Sequence, residues 1–493
     1  MVKPYRTLLL LFYIACLTSV IMIFSQGEMK ITEDLSLNVF TFKDLGFQNE
    51  EKQGADISEI MRLQNRLDSL NKITEQNPKK ENKVLPDSTL TERIEPVVDP
   101  KYPIEFDDQH FPLDNFFESL KNIPSDKELI RMVHYGDSQI EGDRVSSYLR
   151  SRMQARFGGC GVGIVPLLEK QALRATISTF SAPNMSKFAV NDQPLKVRQR
   201  CYGILGAFFR FTPLNFDSLQ TDENYESWVK FTKTEYEGKN DKFTNIENIK
   251  ILYKSNQKLS AKISVNDSTF KYNLPKNTVL GVFEENLKTD FKKMTINLES
   301  NSGADFYGIA LDCEQGIALD NVPLRGSSIM DFTQSNEELL RQQIEKLNVK
   351  LIILQFGVNV VPNPQKNYGF YEQMIYKQLK YLKTVAPSVN VLVVGVSDMA
   401  RKSGTGYASY PNILTIREAQ KRAAFRADCA FWDLYSAMGG QNSMVSWVNS
   451  KPALANKDYT HFSAKGASLV GEMLYNALMK AYDDYKSRNS SLF

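Results

Sequence analysis

The sequence predicts a three-layer α/β/α domain on a parallel sheet, interrupted by an inserted antiparallel β-sandwich and preceded by an N-terminal membrane anchor or signal. Three observations predict it. Continuous apolar runs alternate with amphipathic helical patterns on either side of the middle of the chain. The middle itself breaks into short alternating segments separated by Asn, Asp, Ser, Gly and Lys. The first residues join a basic flank to a long apolar run.

The α/β reading starts at residues 129–135, an apolar run ending in His134-Tyr135-Gly136-Asp137-Ser138. A helical pattern follows over 140–157, so the order is strand, tight turn, helix. The later half repeats it. Residues 351–356 (LIILQF) read as a buried strand, 371–385 as a helix and 391–396 (VLVVGV) as another buried strand. Residues 415–426 are helical, 429–434 a strand and 463–482 a long helix with Ser463 as its N-cap. Strands apolar on both faces, alternating with helices, belong to a parallel sheet covered on both sides.

Between these parts, over 166–312, segments such as 228–234, 249–253, 262–265 and 294–298 alternate with period two. They read as a second domain inserted after the first helix, an event that surface loops tolerate. Its aromatics Phe208, Phe209, Phe211, Tyr225, Trp228 and Phe231 are read as sandwich core ahead of a sugar-stacking platform. The chain therefore divides into an anchor or signal peptide (1–25) and a polar linker with a short amphipathic helix (26–100). The α/β domain follows in two parts (101–165 and 313–493) around the sandwich (166–312).

The N-terminus sets the expected compartment. Lys3 and Arg6 precede the apolar run 8–24, and the positive flank keeps this end inside while the rest crosses. The run's length favours an uncleaved anchor over a cleaved signal. Cys16 lies within the run, which continues past it, so a lipoprotein cleavage site is discounted. In the linker, Ile57, Ile60, Leu63, Leu67 and Leu70 recur at spacings of three and four. They mark an amphipathic helix, read as a stalk lifting the globular part off the membrane.

Composition excludes other classes. With 42% hydrophobic and 24% charged residues the chain is globular, and a net charge of +3 gives no basic footprint for nucleic acid. There are three histidines, His110, His134 and His461, and no two have helical ligand spacing, so no His-rich metal site is read. Cys160, Cys201, Cys313 and Cys429 are as consistent with free thiols as with a bridge.

The chemistry-bearing residues lie at strand ends. A serine hydroxyl becomes a nucleophile when a base takes its proton. A strand-to-helix turn exposes Ser138 and aims backbone N–H groups and a helix dipole at an incoming acyl group. Gly136 lets the chain turn there. The Gly-x-Ser-x-Gly elbow is excluded because Ile140 stands at its second glycine. Asp458-Tyr459-Thr460-His461 precedes the last helix, and this spacing sets a carboxylate against one imidazole nitrogen while the other faces a serine proton. His134 falls in a predicted buried strand and reads as structural. His110 reads as a surface residue. Acyl transfer also needs donors for an oxyanion. Asn359, in Gly357-Val358-Asn359 after the strand at 351–356, offers a side-chain NH2. Gly326, in Arg325-Gly326-Ser327-Ser328 after a strand at 316–322, offers an open backbone N–H. Ligands bind at such carboxyl ends.

In this order the residues resemble the SGNH/GDSL hydrolases, whose four blocks supply Ser, Gly, Asn and Asp-x-x-His. Here these are Gly136-Asp137-Ser138, Gly326, Gly357-Val358-Asn359 and Asp458-x-x-His461. The resemblance covers roughly 101–165 and 313–485. It implies a flavodoxin-like sheet, Ser138 as nucleophile, His461 as base and Asp458 orienting it. It also implies an oxyanion hole from Ser138, Gly326 and Asn359, with no cofactor or metal. The third block usually continues with an acid. Val360 stands there instead, which leaves the four roles intact and weakens assignment to one branch. The inserted sandwich is similar to the layout of bacterial peptidoglycan O-acetylesterases, in which a carbohydrate-binding-module-like β domain interrupts the SGNH domain; residues 305–311 resemble its last strand.

The resemblance implies an exported serine esterase that removes acyl groups, acetyl above all, from envelope polysaccharide or peptidoglycan. It would sit on the periplasmic side of a bacterial inner membrane, anchored or secreted. Two alternatives use the same sequence. One is an O-acyltransferase that acetylates envelope polysaccharide with an acyl group from a membrane-bound acyltransferase. The other is a non-catalytic wall-binding protein.

Overall fold

The computed structural model describes residues 54–76 and 100–489, except 108–109, 170–173, 193–200, 215–222 and 235–244, together with scattered residues before 39. Much of the apolar run 8–24 lies outside the described residues. Among the described residues no helix is long and apolar enough to cross a membrane.

The central sheet has five parallel strands: β1 (Leu129–Gly136), β2 (Gly316–Pro323), β3 (Val349–Gln355), β4 (Asn390–Val394) and β5 (Ala430–Trp432). Their spatial order is β2-β1-β3-β4-β5. The chain thus steps one way from β1 to β2 and then returns past β1 to build the other half. Such a reversal opens a crevice at the carboxyl ends of β1 and β3. The longer helices among the described residues are α1 (Ser58–Gln76), α2 (Asp114–Asp126), α3 (Arg144–Phe157), α4 (Glu337–Lys346), α5 (Gly369–Val385), α6 (Ile413–Arg426), α7 (Ser443–Asn449) and α8 (Ala464–Arg488).

Strand periodicity divides the core between the two faces. Ile130 and Met132 of β1, with Leu351 and Ile353 of β3, pack against Phe116, Leu149 and Leu474 of α2, α3 and α8. Val133, Tyr135, Ile352 and Leu354 point the other way, into a core with Leu340, Leu379 and Ala423 of α4, α5 and α6. That second core runs on without a break into the β-sandwich, where it includes Phe209, Phe231, Ile251 and Phe306.

The sandwich pairs antiparallel strands throughout. One sheet runs Ser268–Leu274, Leu259–Val265, Lys293–Ser300, Tyr225–Lys233, Ile177–Ser181; the other runs Asn277–Asp290, Asn245–Ser255, Ala304–Asp312, Ala207–Arg210, Ser186–Ala189. Gly161–Val165 also pairs with Ala304–Asp312, so the first sandwich strand begins five residues before the expected start at 166. Of the six aromatics singled out, Phe208, Phe209, Phe211 and Phe231 are buried, Tyr225 is half-buried and Trp228 is exposed.

Two further expectations are corrected. The helix read over 140–157 is broken: a 3-10 turn covers Ser138–Asp143 and α3 starts only at Arg144. Gly142 at φ 74° and Asp143 at φ 62° interrupt it. Asp143 is held in that conformation by a two-point ion pair with Arg150 and by the Thr176 hydroxyl. The amphipathic linker helix is not a free stalk either. In α1, Leu67 is buried, and Ile60 and Leu63, with Ile57 just before the helix, pack onto the core that holds Trp447 and Leu469. The Ser446 hydroxyl donates to Ala55 O at 2.7 Å, and Lys465 pairs with Asp68 at 3.2 Å. Its apolar stripe as far as Leu67 is satisfied by the α/β domain itself, and the side chain of Leu70 lies outside the described residues.

A disulfide joins Cys160 to Cys313, across 153 residues, at the two ends of the insert; Cys201 and Cys429 are free. Tying distant residues lowers the entropy of the unfolded chain. Replacing both bridging cysteines by serine is expected to cost about 2–4 kcal/mol of stability. Denaturant unfolding with and without reductant checks this: wild type should fall to the level of the double variant under reduction. Identical wild-type curves in both conditions contradict it.

Candidate active site

β1 ends at Gly136, pinned between its neighbours. Gly136 pairs with Pro323 of β2 and with Gln355 of β3. A side chain there would meet Gln355 O at 2.7 Å and Ile140 at 2.9 Å, so only glycine lets the turn lie this close to β3. Asp137 follows, buried, and its carboxylate accepts three backbone N–H bonds: from Gln139 at 3.0 Å, Gly357 at 3.0 Å and Val358 at 3.2 Å. Burial pushes its pKa up to about 6, against the pull of those donors. Asp137 therefore ties the Ser138 turn to the loop after β3. Its place in the Gly-Asp-Ser block was legible, but nothing local signalled this role.

Ser138 opens the 3-10 turn and is nearly buried. Its Oγ lies 2.8 Å from His461 Nε2. His461 Nδ1 lies 2.8 Å from Asp458 Oδ2. The other carboxylate oxygen, Oδ1, accepts the backbone N–H groups of Thr460 at 2.9 Å and His461 at 3.0 Å. An ionised carboxylate only accepts, so Nδ1 carries the proton and the Nε2 lone pair faces the serine hydroxyl. Partial burial pushes the Asp458 pKa up, but the hydrogen bonds from His461 and Thr460 outweigh it and hold the group below the ordinary aspartate value. It stays charged, as an orienting group must.

The Asp458–His461 turn has its own support. Tyr459, between the two, sits at φ 55°. Its ring stacks on Tyr407 with centroids 3.6 Å apart and planes 8° from parallel. Tyr407 belongs to a hairpin, Ala400–Ser403 paired with Gly406–Ser409, and Ala400 N–H donates to Tyr459 O at 3.1 Å. Below the turn, Ser463 caps α8 by accepting Gly466 N–H, as the sequence predicts. No sequence pattern links Tyr407 to Tyr459, and this support was missed.

The expected oxyanion donors stand on the two neighbouring loops. Gly326 follows β2, at φ 79°, with open space where a side chain would project. Asn359 follows β3 and donates one N–H of its amide to Ser327 O at 2.8 Å, which ties its loop to that of Gly326. The second N–H of the amide is left for a ligand. Ser138, Gly326 and Asn359 thus stand just past the carboxyl ends of three adjacent strands. The helix dipole read as aiming at the acyl group is corrected: α3 begins six residues beyond Ser138, so backbone and side-chain N–H groups are the available donors.

The other histidines take no part. His134 is buried, with Nε2 at 3.1 Å from Gln355 Oε1 and Nδ1 at 3.0 Å from Ser146 Oγ. Burial pushes its pKa down to about 4, so it stays neutral. His110 is exposed. Val360, where an acid usually stands, is half-buried against the core.

No protein-family model matches this sequence, and no curated protein does. Among solved structures, a peptidoglycan O-acetylesterase superposes on 77% of this chain and 98% of its own, with a TM-score of 0.59 and 19% identity. The chain therefore shares that structure's fold, a parallel α/β sheet with an added β domain. A family two carbohydrate esterase from Clostridium thermocellum, solved with cellohexaose, matches 53% of this chain and 93% of its own at a TM-score of 0.23 and 8% identity. An acetyl xylan esterase matches 33% and 81% at a TM-score of 0.24 and 15% identity. Scores that low carry no weight for the fold. The first match, which spans both the parallel sheet and the sandwich, does.

Exchanging Asp458 for Asn keeps the shape but removes the charge and presents an NH2 group toward Nδ1. The reactivity of Ser138 toward a fluorophosphonate is expected to fall by roughly 10²-fold or more, since the imidazole is then held in the wrong tautomer. Second-order labelling rates read by mass spectrometry check this, and a rate within threefold of wild type contradicts it.

Proposed function

We propose that the chain is an exported serine esterase that removes O-acetyl groups from cell-envelope carbohydrate or peptidoglycan. The observation that carries this reading is the line of contacts from Ser138 Oγ to His461 Nε2 and from His461 Nδ1 to Asp458, each 2.8 Å. The fold shared with a peptidoglycan O-acetylesterase supports the substrate class. The basic flank and apolar run at the N-terminus support a position on the periplasmic side of a bacterial inner membrane.

In this reading His461 Nε2 takes the hydroxyl proton as Ser138 Oγ attacks the acetyl carbonyl carbon. The carbonyl oxygen becomes an oxyanion facing the Ser138 and Gly326 N–H groups and the Asn359 amide. The tetrahedral intermediate collapses, the bond to the sugar oxygen breaks, and His461 returns its proton to that oxygen. Acetyl-Ser138 remains. Water then attacks the acetyl carbon while His461 takes a proton from it, and acetate leaves as Ser138 regains its hydrogen. Asp458 stays ionised throughout and stabilises the imidazolium.

Hydrolysis is favoured over transfer by exposure at the site. The His461 side chain is 31% exposed and that of Asp458 49%, so water reaches the base that would activate it. A transferase must keep water from the same intermediate.

The soluble part, given O-acetylated peptidoglycan, is expected to release acetate, and Ser138→Ala to lower that rate by about 10³-fold or more. Acetate assay of both proteins tests it. Equal rates overturn the reading, and acetyl groups gained by added glycan in place of free acetate turn it to transfer.

A further inference from the structure

Ser138 sits on a turn after β1, and His461 on a turn before α8. Neither belongs to a regular element that would hold the two side chains at hydrogen-bond distance. Gln139, next to Ser138 in the chain, is buried. Its Nε2 donates to the backbone O of Thr460 at 2.7 Å and to Ser397 Oγ at 3.0 Å, while its Oε1 accepts the N–H of Phe462 at 3.4 Å. Thr460 O can only accept and Phe462 N–H can only donate, so these partners fix which end of the amide is which.

The two backbone groups belong to the residues immediately before and after His461. One side chain therefore grips the peptide on both sides of the imidazole and is itself joined covalently to Ser138. The geometry points to Gln139 as a positioning residue that sets the distance between the Ser138 hydroxyl and the His461 imidazole. Two features support it. The Tyr407 stack and the Asp458 bonds fix the turn's shape and the ring's orientation, but neither group attaches the turn to the Ser138 peptide. Arg144 reaches the same turn through Phe462 O at 2.9 Å, but from the start of α3 and on one side of His461 only. Gln139 joins both flanks of His461 to the serine's own neighbour, so serine and base move as one unit. Ser397 lies in the loop after β4 and anchors the amide to the sheet.

This inference rests on the reading of Ser138 as nucleophile and His461 as base. A Gln139 that merely filled space would matter for stability alone. Gln139→Met keeps the length and approximate volume and removes every side-chain hydrogen bond, leaving the backbone bond to Asp137. Gln139→Glu keeps the acceptor for Phe462 N–H and loses the donation to Thr460 O and Ser397. A displacement of about 1 Å between reacting groups costs on the order of 10²-fold in rate.

The test uses the full chain and compares three readings: kcat and KM on an aryl acetate, the labelling rate of Ser138 by a fluorophosphonate, and thermal unfolding. In the Met variant, kcat and the labelling rate are expected to fall together by about 30- to 100-fold, with KM within about twofold, because spacing and not substrate binding is lost. If the Met variant does not fold, the Glu variant is judged by the same criteria. Folded variants with labelling rates and kcat within about threefold of wild type overturn the inference while leaving the esterase reading intact. So does a raised KM with unchanged kcat, which would place Gln139 in substrate binding. Wild-type protein that is neither labelled nor active overturns the esterase reading, and this inference falls with it.

Discussion

A hydrogen bond of 2.8 Å between Ser138 Oγ and His461 Nε2 closes a loop of 323 residues. That contact forms only if the sheet is built in the order β2-β1-β3-β4-β5, with β1 in its interior. Pairing on both sides pins the end of β1, and its close approach to β3 admits no side chain at Gly136. The loop after β3 then reaches the Asp137 carboxylate through two N–H groups. From the far end of the chain, the turn before α8 arrives at the same crevice with its carboxylate and imidazole already paired. Sheet order brings the parts together, and local hydrogen bonds set the last ångström.

The insert is part of this arrangement. Its core is continuous with one face of the parallel sheet. Arg131, on β1, is buried between Asp320 of β2 and Asp312 of the sandwich, and Asp320 also accepts the Ile164 N–H. Removing one partner of such a buried set leaves an unpaired charge, which is costly. Near the Ser138 turn, Ala175 N–H donates to Gly142 O and the Thr176 hydroxyl to Asp143. The sandwich thus supports the residues that follow Ser138, and the disulfide between Cys160 and Cys313 holds its two ends at the sheet.

Much of this was legible in the sequence because parallel strands buried on both faces leave continuous apolar runs. The runs at 351–356 and 391–396 map onto β3 and β4 within two residues at each end. Ser138, Asp458 and His461 could be singled out because a rare histidine with an acid three residues earlier stands out, and the structure brings them together. What was not legible depends on partners far away in the chain. The pairing of Cys160 with Cys313 is decided by where the insert begins and ends in space. Gly161–Val165 looks like a continuation of the α/β part but finds its partner at Ala304–Asp312. The stripe on α1 shows that a partner is needed without saying that the α/β domain supplies it. Gln139 and Tyr407 sit in ordinary surroundings by sequence, and only the turn that carries His461 gives them a role. The break at Gly142 was visible as a glycine, but the ion pair that holds Asp143 beside it was not.

The central claim is that Ser138 carries the acyl group because His461 and Asp458 are aligned on it. Peptide mapping by mass spectrometry, after brief exposure of a His461→Ala variant to an activated acetyl ester, measures this most directly. The account predicts acetyl on the peptide containing Ser138, formed slowly and lost more slowly still, because the same base serves both steps. Acetyl found on another residue, or turnover that persists in this variant with Ser138 unmodified, would contradict it.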